Sequence, residues 1–178
     1  MIPRRYILDT NILLFDPQSL LHYPGSDVIV TLEVLEEIDG FKHDPNERGR
    51  NSRTVGHIID GLRARGAIGE GVPLDHGGRL RVLCRVPVDA EAAASFEDRR
   101  ESRVSNSILA AALYLRRTEP AVPVAIVTKN VNLRVRADVF GIPASDYESE
   151  RIRDTDMLRG WHAVEVDRDL IEILKSGR

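Results

Sequence analysis

Residues Tyr6 to Leu14 read Tyr-Ile-Leu-Asp-Thr-Asn-Ile-Leu-Leu: a short apolar run stops on Asp9-Thr10-Asn11 and then resumes. A buried strand followed at once by a helix explains this pattern, with the polar trio at the junction. Such a unit brings a carboxylate to the C-terminal edge of a sheet, where open α/β sheets seat their ligands. Asp9 is therefore the first candidate functional residue.

The same logic extends along the chain. Arg5–Leu8 reads as the first strand, and Asp27–Val30 and Val122–Thr128 as further continuous apolar strands, covered on both faces. Asn11–Phe15 reads as a helical turn ended by Asp16-Pro17, and Gln18–His22 as a second short helix. Leu32, Leu35, Ile38 and Phe41 recur every third position, which predicts a helix. Asn46–Arg50 is turn-like, and Ser52 to Arg65 is helical with Val55, Ile58, Ile59 and Leu62 on one face. The glycine-rich Gly66–Gly78 is a loop or hairpin tip, and the alternating Leu80–Val86 a half-exposed edge strand. Glu91–Arg103 is charged and helical or irregular; Ile108–Leu115 is an apolar helix begun by Ser105-Asn106-Ser107. Val131–Phe140 is a helix closed by Gly141, and Ile142–Ala144 a short strand. Trp161–Val166 and Asp169–Leu174 add a strand and a helix.

Strands alternating with helices at short intervals predict an α/β fold. The expected form is a three-layer α/β/α arrangement with a central, mostly parallel twisted sheet, a small edge hairpin and a C-terminal strand–helix. Residues 1–150 form the main domain. Residues 151–178 are an extension packed on it or leading to a further domain.

Composition narrows the function. At 178 residues and 42% hydrophobic, the chain can bury one full core. A net charge of −3 argues against a broadly basic nucleic-acid coat, while leaving room for a local basic patch. The lone Cys84 excludes an intramolecular disulfide and a multi-cysteine zinc site. No apolar run approaches the length of a signal or membrane helix, so a soluble, cytoplasmic protein without a membrane partner is expected. Four Tyr and four Phe, scattered, do not make a base-stacking platform.

Polar residues fall at a strand end or helix start in four places: Asp9; Glu33, Glu36 and Glu37; Asn106; and Asn130. Each also has an ordinary reading. Asp9, Asn106 and Asn130 are good helix caps, and glutamates on a helix are commonly just solvated. Thr10 and Asn11 could orient Asp9, meet phosphate or begin the helix, and Thr128 could brace the site. Lys42, Arg48, Arg50 and Arg53 make a basic run suited to a solvated face or to a phosphate backbone.

The sequence resembles the PIN-domain family, and more closely the PIN domain at the N-terminus of PhoH-type proteins. The resemblance is carried by Leu8–Leu13, Val34–Lys42, Gly49–Arg53, Ile108–Leu113 and Val127–Arg134. Ala137-Asp138, Gly141 and Asp146-Tyr147 follow, all in the family's order. It implies a metal-dependent endoribonuclease in which clustered acids hold Mg²⁺ or Mn²⁺, a chemistry that suits hard cations and oxygen ligands. Carried over, Asp9 is the first acid and Glu37 the second. The third falls at Asn106, with Ser105 one step away as the alternative, and the fourth at Asn130. Asp9, Glu37, Asn106 and Asn130 are then the catalytic set, with Asp9, Glu37 and Asn130 as metal ligands. Thr10, Asn11 and Thr128 support the site, and Lys42, Arg50 and Arg53 contact RNA.

The two amides depart from the family pattern. An amide keeps an oxygen but loses a charge worth roughly 4 kcal/mol against another at about 4 Å and effective dielectric about 20. One ion on Asp9 and Glu37 survives this loss better than a pair of ions. Glu33, Asp98 or Glu101 could restore a charge, but spacing selects none of them. A PIN module that binds RNA or a partner without hydrolysis is the alternative function.

The family also implies self-association and an ATPase domain in the same or another chain. The sequence itself holds no Gly-x-x-x-x-Gly-Lys-Ser/Thr phosphate loop. Phosphotransfer fits poorly. A dehalogenase-type phosphatase needs a second Asp where Asn11 stands, and a receiver needs its Thr and Lys on separate strands, not adjacent as Thr128-Lys129.

Overall fold

The computed structural model describes residues 4–87 and 103–147. A six-stranded sheet runs β3-β4-β2-β1-β5-β6, where β1 is Arg5–Leu8, β2 Asp27–Thr31 and β3 Val72–Pro73. The remaining strands are β4 Arg79–Leu83, β5 Val124–Val127 and β6 Ala144–Ser145. Every pairing is parallel except β3 with β4, the small hairpin expected at the edge. Helices α1 (Thr10–Phe15), α2 (Leu32–Gly40), α3 (Glu47–Arg63), α4 (Arg103–Thr118) and α5 (Val131–Val139) connect the strands, with a 3-10 turn at Pro17–Leu21.

The apolar strands do what their composition requires. All four residues of β1 and of β5 are buried. Ile7, Leu8, Ile29 and Ile126 pack with Ile108, Leu109 and Leu115 of α4 in one core, each such side chain contributing about 1.5–3 kcal/mol. Arg5 is buried in β1 because Glu119 takes its guanidinium, with the Glu119 and Val122 carbonyls accepting further bonds.

β1 lies between β2 on one side and β5 on the other, so chain order reverses there. That switch point opens a crevice beyond the carboxyl ends of the strands. Ile7 is level with both Ile29 and Ile126, and Leu8 with Val127. The same register places Asp9 between Thr31 and Thr128, about 4.7–4.9 Å from each neighbouring strand.

Several boundaries differ from the sequence reading. α3 starts at Glu47 rather than Ser52, because Asn46 caps it through a 3.2 Å bond from the Gly49 N–H. Only glycine fits at 49: a Cβ there would lie 2.0 Å from the Asp44 carbonyl oxygen. β4 is not an edge strand, since β3 pairs outside it. α4 begins at Arg103, so Ser105, Asn106 and Ser107 lie inside its first turns rather than ahead of it. β6 is shifted to Ala144–Ser145. The second short helix is the 3-10 turn. The expected helix before 103 and the C-terminal strand–helix lie outside the described residues.

Candidate metal and RNA site

Asp9 stands where β1 ends and caps α1, only 5% exposed. Its Oδ1 accepts from the Thr10 N–H at 2.7 Å. Its Oδ2 accepts from Asn11 Nδ2 at 2.6 Å and from the Thr128 hydroxyl at 2.5 Å. The fully buried Thr128 hydroxyl in turn accepts from the Asn130 N–H at 2.9 Å, while Asn11 Oδ1 accepts from the Lys129 N–H at 3.0 Å. Thr10, Asn11 and Thr128 thus lock the carboxylate across the β1–β5 junction.

Burial pushes the Asp9 carboxyl above its ordinary 3.8. The Thr128 and Thr10 bonds oppose this shift, the negative charge of Glu37 adds to it, and the Asn11 bond opposes it. Glu37 is exposed on α2, close enough for its field to reach Asp9. The charges of this sequence-distant pair therefore interact.

These donors suit one hard cation. A carboxylate offers about four lone-pair positions. Three of those on Asp9 are used, leaving one on Oδ1 for an ion or its bound water. The Glu37 side chain makes no hydrogen bond to any described residue and brings a second charge. Mg²⁺ is commonly held by one or two carboxylates with several waters. Among the described residues no group of three His, Cys, Asp or Glu side chains is arranged to hold an ion.

The two amides are placed differently. Asn130 is the N-cap of α5, and its Oδ1 accepts from the Asn132 and Leu133 N–H groups at 3.0 and 3.3 Å. Both of its lone pairs are therefore committed to the helix. Asn106 Oδ1 accepts from Arg136 Nη2 at 2.6 Å. Asn106 also lines a cavity with Thr31, Glu33 and Ser107, one strand from Asp9.

The basic residues lie to one side. Lys42 and Arg53 line a groove of about 480 Å³ between α2 and α3, with Leu35, Ile38 and Asp39. Lys42 is held by both Asp39 oxygens at 2.7 and 3.0 Å, and Arg53 donates to the Lys42 carbonyl at 2.6 Å. At 100° per residue, Leu35, Ile38 and Asp39 face away from Glu33 and Glu37. Arg50 is exposed, with no side-chain partner among the described residues. Asn51 and Ser52, between these cations, are structural: they donate to the Leu14 and Ile38 carbonyls at 2.7 Å each.

Sequence reasoning missed Thr31, Ser107 and Arg85. Thr31 and Ser107 share a 2.8 Å hydroxyl contact that pins α4 to the end of β2. Thr31 was findable, since it follows the Asp27–Val30 run as Asp9 follows β1; Ser107 and Arg85 carry no such signal.

A family model for the PIN domain matches residues 6–148. The chain is 36% identical over 170 residues to protein PhoH2 of Bacillus subtilis, covering 93% of this chain and 38% of that protein. It is 29% identical over 161 residues to protein PhoH2 of Mycolicibacterium smegmatis, covering 89% and 34%. The chain thus spans about a third of the length of the curated relatives it matches. The structure of the T. brucei RRP44 PIN domain superposes with a TM-score of 0.51 at 11% identity, covering 98% of this chain and 88% of that one. The match across the described fold, with Asp9 and Thr128 just beyond the ends of the neighbouring parallel strands β1 and β5, shows that this chain belongs to the PIN-domain family and is related to the PhoH2 proteins.

Proposed function

We propose that the chain is a metal-dependent endoribonuclease domain that hydrolyses single-stranded RNA, with one Mg²⁺ or Mn²⁺ at Asp9 and Glu37. The observation that carries this reading is the buried Asp9 carboxylate at the switch point, raised further by the charge of Glu37. A bound ion would supply a water of lowered pKa and offset charge on the scissile phosphate. The protein's own part is positioning. Thr128, Asn11 and the Thr10 N–H fix the Asp9 carboxylate and leave one lone pair on Oδ1 for the ion. Glu37, exposed on α2, would accept from the ion's bound water. Lys42 and Arg53, with the exposed Arg50, would hold the phosphate backbone from the α2–α3 groove, on the face of α2 turned away from Glu37, a role that weakens with salt.

Labelled single-stranded RNA tests this. Cleavage should require Mn²⁺ or Mg²⁺, stop with EDTA and vanish in Asp9→Ala. Protein that folds, binds neither ion and cleaves nothing would refute it.

A second reading, a PIN module that binds RNA or a protein partner without hydrolysis, rests on a specific observation. Both amide oxygens at the expected acid positions are engaged, Asn106 by Arg136 and Asn130 by its helix. On that reading Asn106→Asp with Asn130→Asp would create ion binding where the parent has none.

Three further proposals rest on the PhoH2 relationship and the composition. The chain works with an ATPase domain in the same or another chain, it self-associates, and it acts in the cytoplasm. No helix among the described residues is long and apolar enough to cross a membrane.

A further inference from the structure

A cavity of about 230 Å³ opens beside Asp9 at the end of β2, lined by Thr31, Glu33, Leu83, Arg85, Val86, Arg103, Asn106, Ser107 and Ala110. That is smaller than the roughly 300–1,000 Å³ of sites for drug-sized ligands, so it suits one planar ring system rather than a whole nucleotide. Leu83, Val86 and Ala110 give it apolar walls. Most of its polar groups are already satisfied. Thr31 and Ser107 bond each other at 2.8 Å, Asn106 holds Arg136 at 2.6 Å, and Arg103 holds Glu36 at 2.7 Å.

Two are not. Glu33 Oε2 is buried with no hydrogen-bond partner, and the Arg85 guanidinium has none among the described residues. The first turn of α2 favours a negative charge through its dipole, yet that supplies no donor to the buried oxygen. An unmade hydrogen bond on the buried Glu33 oxygen is costly and calls for an explanation, whereas Arg85 is exposed. Arg85 also has φ +49°, a left-handed backbone that non-glycine residues rarely adopt and that clusters at binding sites. Opposite charges thus line one small cavity and leave each other unpaired.

We propose that this cavity is a base subsite for the RNA strand, selective for guanine. The inference rests on the RNA reading above and names the base that the strand presents next to the scissile position. The selectivity follows from donor count. A carboxylate only accepts, and the Watson–Crick edge of guanine alone presents an imino N–H and an amino N–H side by side. Adenine and cytosine set an acceptor beside their amino group, and uracil flanks its imino N–H with two carbonyls; each meets the carboxylate with repulsion. With the base on Glu33, Arg85 is left for a phosphate of the strand, a contact that positions without reading sequence.

The test is binding in EDTA, where no ion contributes. Fluorescein-labelled oligouridines carrying one central guanosine, adenosine or cytidine are titrated with the full chain and followed by anisotropy. The guanosine strand should bind at least about tenfold more tightly than the others, the range of one good bidentate contact. Glu33→Gln, which keeps the shape and swaps one acceptor for a donor, should abolish that preference. Arg85→Ala should weaken all strands alike.

Equal binding of all strands by the parent, or an unchanged guanosine preference in Glu33→Gln, would overturn the proposal. So would a Glu33→Gln variant that loses Mn²⁺ affinity while keeping its base preference, since Glu33 would then be an ion ligand. Guanosine monophosphate bound tightly with no binding of the guanosine strand would mark a free-nucleotide site and also overturn it. Cleavage in Mn²⁺, and its loss in Asp9→Ala, is scored separately, so a failed base subsite and a failed nuclease give different results.

Discussion

The two halves of the crevice are built in opposite ways. At the β1–β5 junction, Asp9, Asn11 and Thr128 satisfy one another in a buried lattice tied to the backbones of Lys129 and Asn130. One strand away, the cavity beside Thr31 is lined by Glu33, whose Oε2 is buried without a hydrogen bond, and by Arg85, which has no side-chain partner among the described residues. A fully bonded polar group is rigid and supports the fold, whereas a buried oxygen without a donor costs stability until a ligand supplies one. The contrast teaches where chemistry is held in place and where a ligand has still to arrive.

Substitutions can break or sharpen that contrast. Thr128→Val should have the largest effect on stability, about 1–3 kcal/mol in chemical denaturation, because Asp9 loses a donor and the Asn130 N–H an acceptor. A loss under about 0.5 kcal/mol would mean the lattice is slack. Thr31→Val removes the single hydroxyl contact to Ser107 and should cost about 1 kcal/mol. Asn130→Asp keeps an equally good cap, so its melting point should stay within the change expected of about 0.5 kcal/mol. Glu33→Gln should fall in the same narrow range, since no bond is lost; a large destabilisation would show that the cavity is part of the scaffold.

Acidity gives a further contrast. The folded state holds the Asp9 proton more tightly than the unfolded chain, whose carboxyl titrates near 3.8. This group therefore favours folding below that value, and the contribution is lost as pH rises through the higher folded pKa. The melting temperature of Asp9→Asn minus that of the parent should accordingly grow more positive from about pH 4 to about pH 7. A difference that is flat or falls with pH would contradict the burial of Asp9.

Much of this was legible in the chain. The β1, β2 and β5 runs announce themselves because strands covered on both faces need unbroken apolar sequence. Asp9, Thr10, Asn11 and Thr128 were legible for the same reason, as the first polar residues beyond those runs. The start of α3 was hidden because Asn46 to Gly49 has turn chemistry, and only the close approach of Asp44 to Gly49 shows why glycine sits inside a helix. Asn106 read as a cap because two serines flank it, yet Ser107 donates back to the Val104 carbonyl within the helix. The direction of an amide oxygen is invisible to sequence. Asn130 was legible as cap or ligand, and only the bonds to Asn132 and Leu133 show its oxygen committed to the cap.

The most direct measurement of the central claim is calorimetric titration of Mn²⁺ into the parent, Asp9→Ala and Glu37→Gln, with circular dichroism to verify folding. The parent should bind a single ion per chain, Asp9→Ala none, and Glu37→Gln at least about tenfold more weakly. A parent that binds no ion, or binding that survives both substitutions unchanged, would contradict that claim.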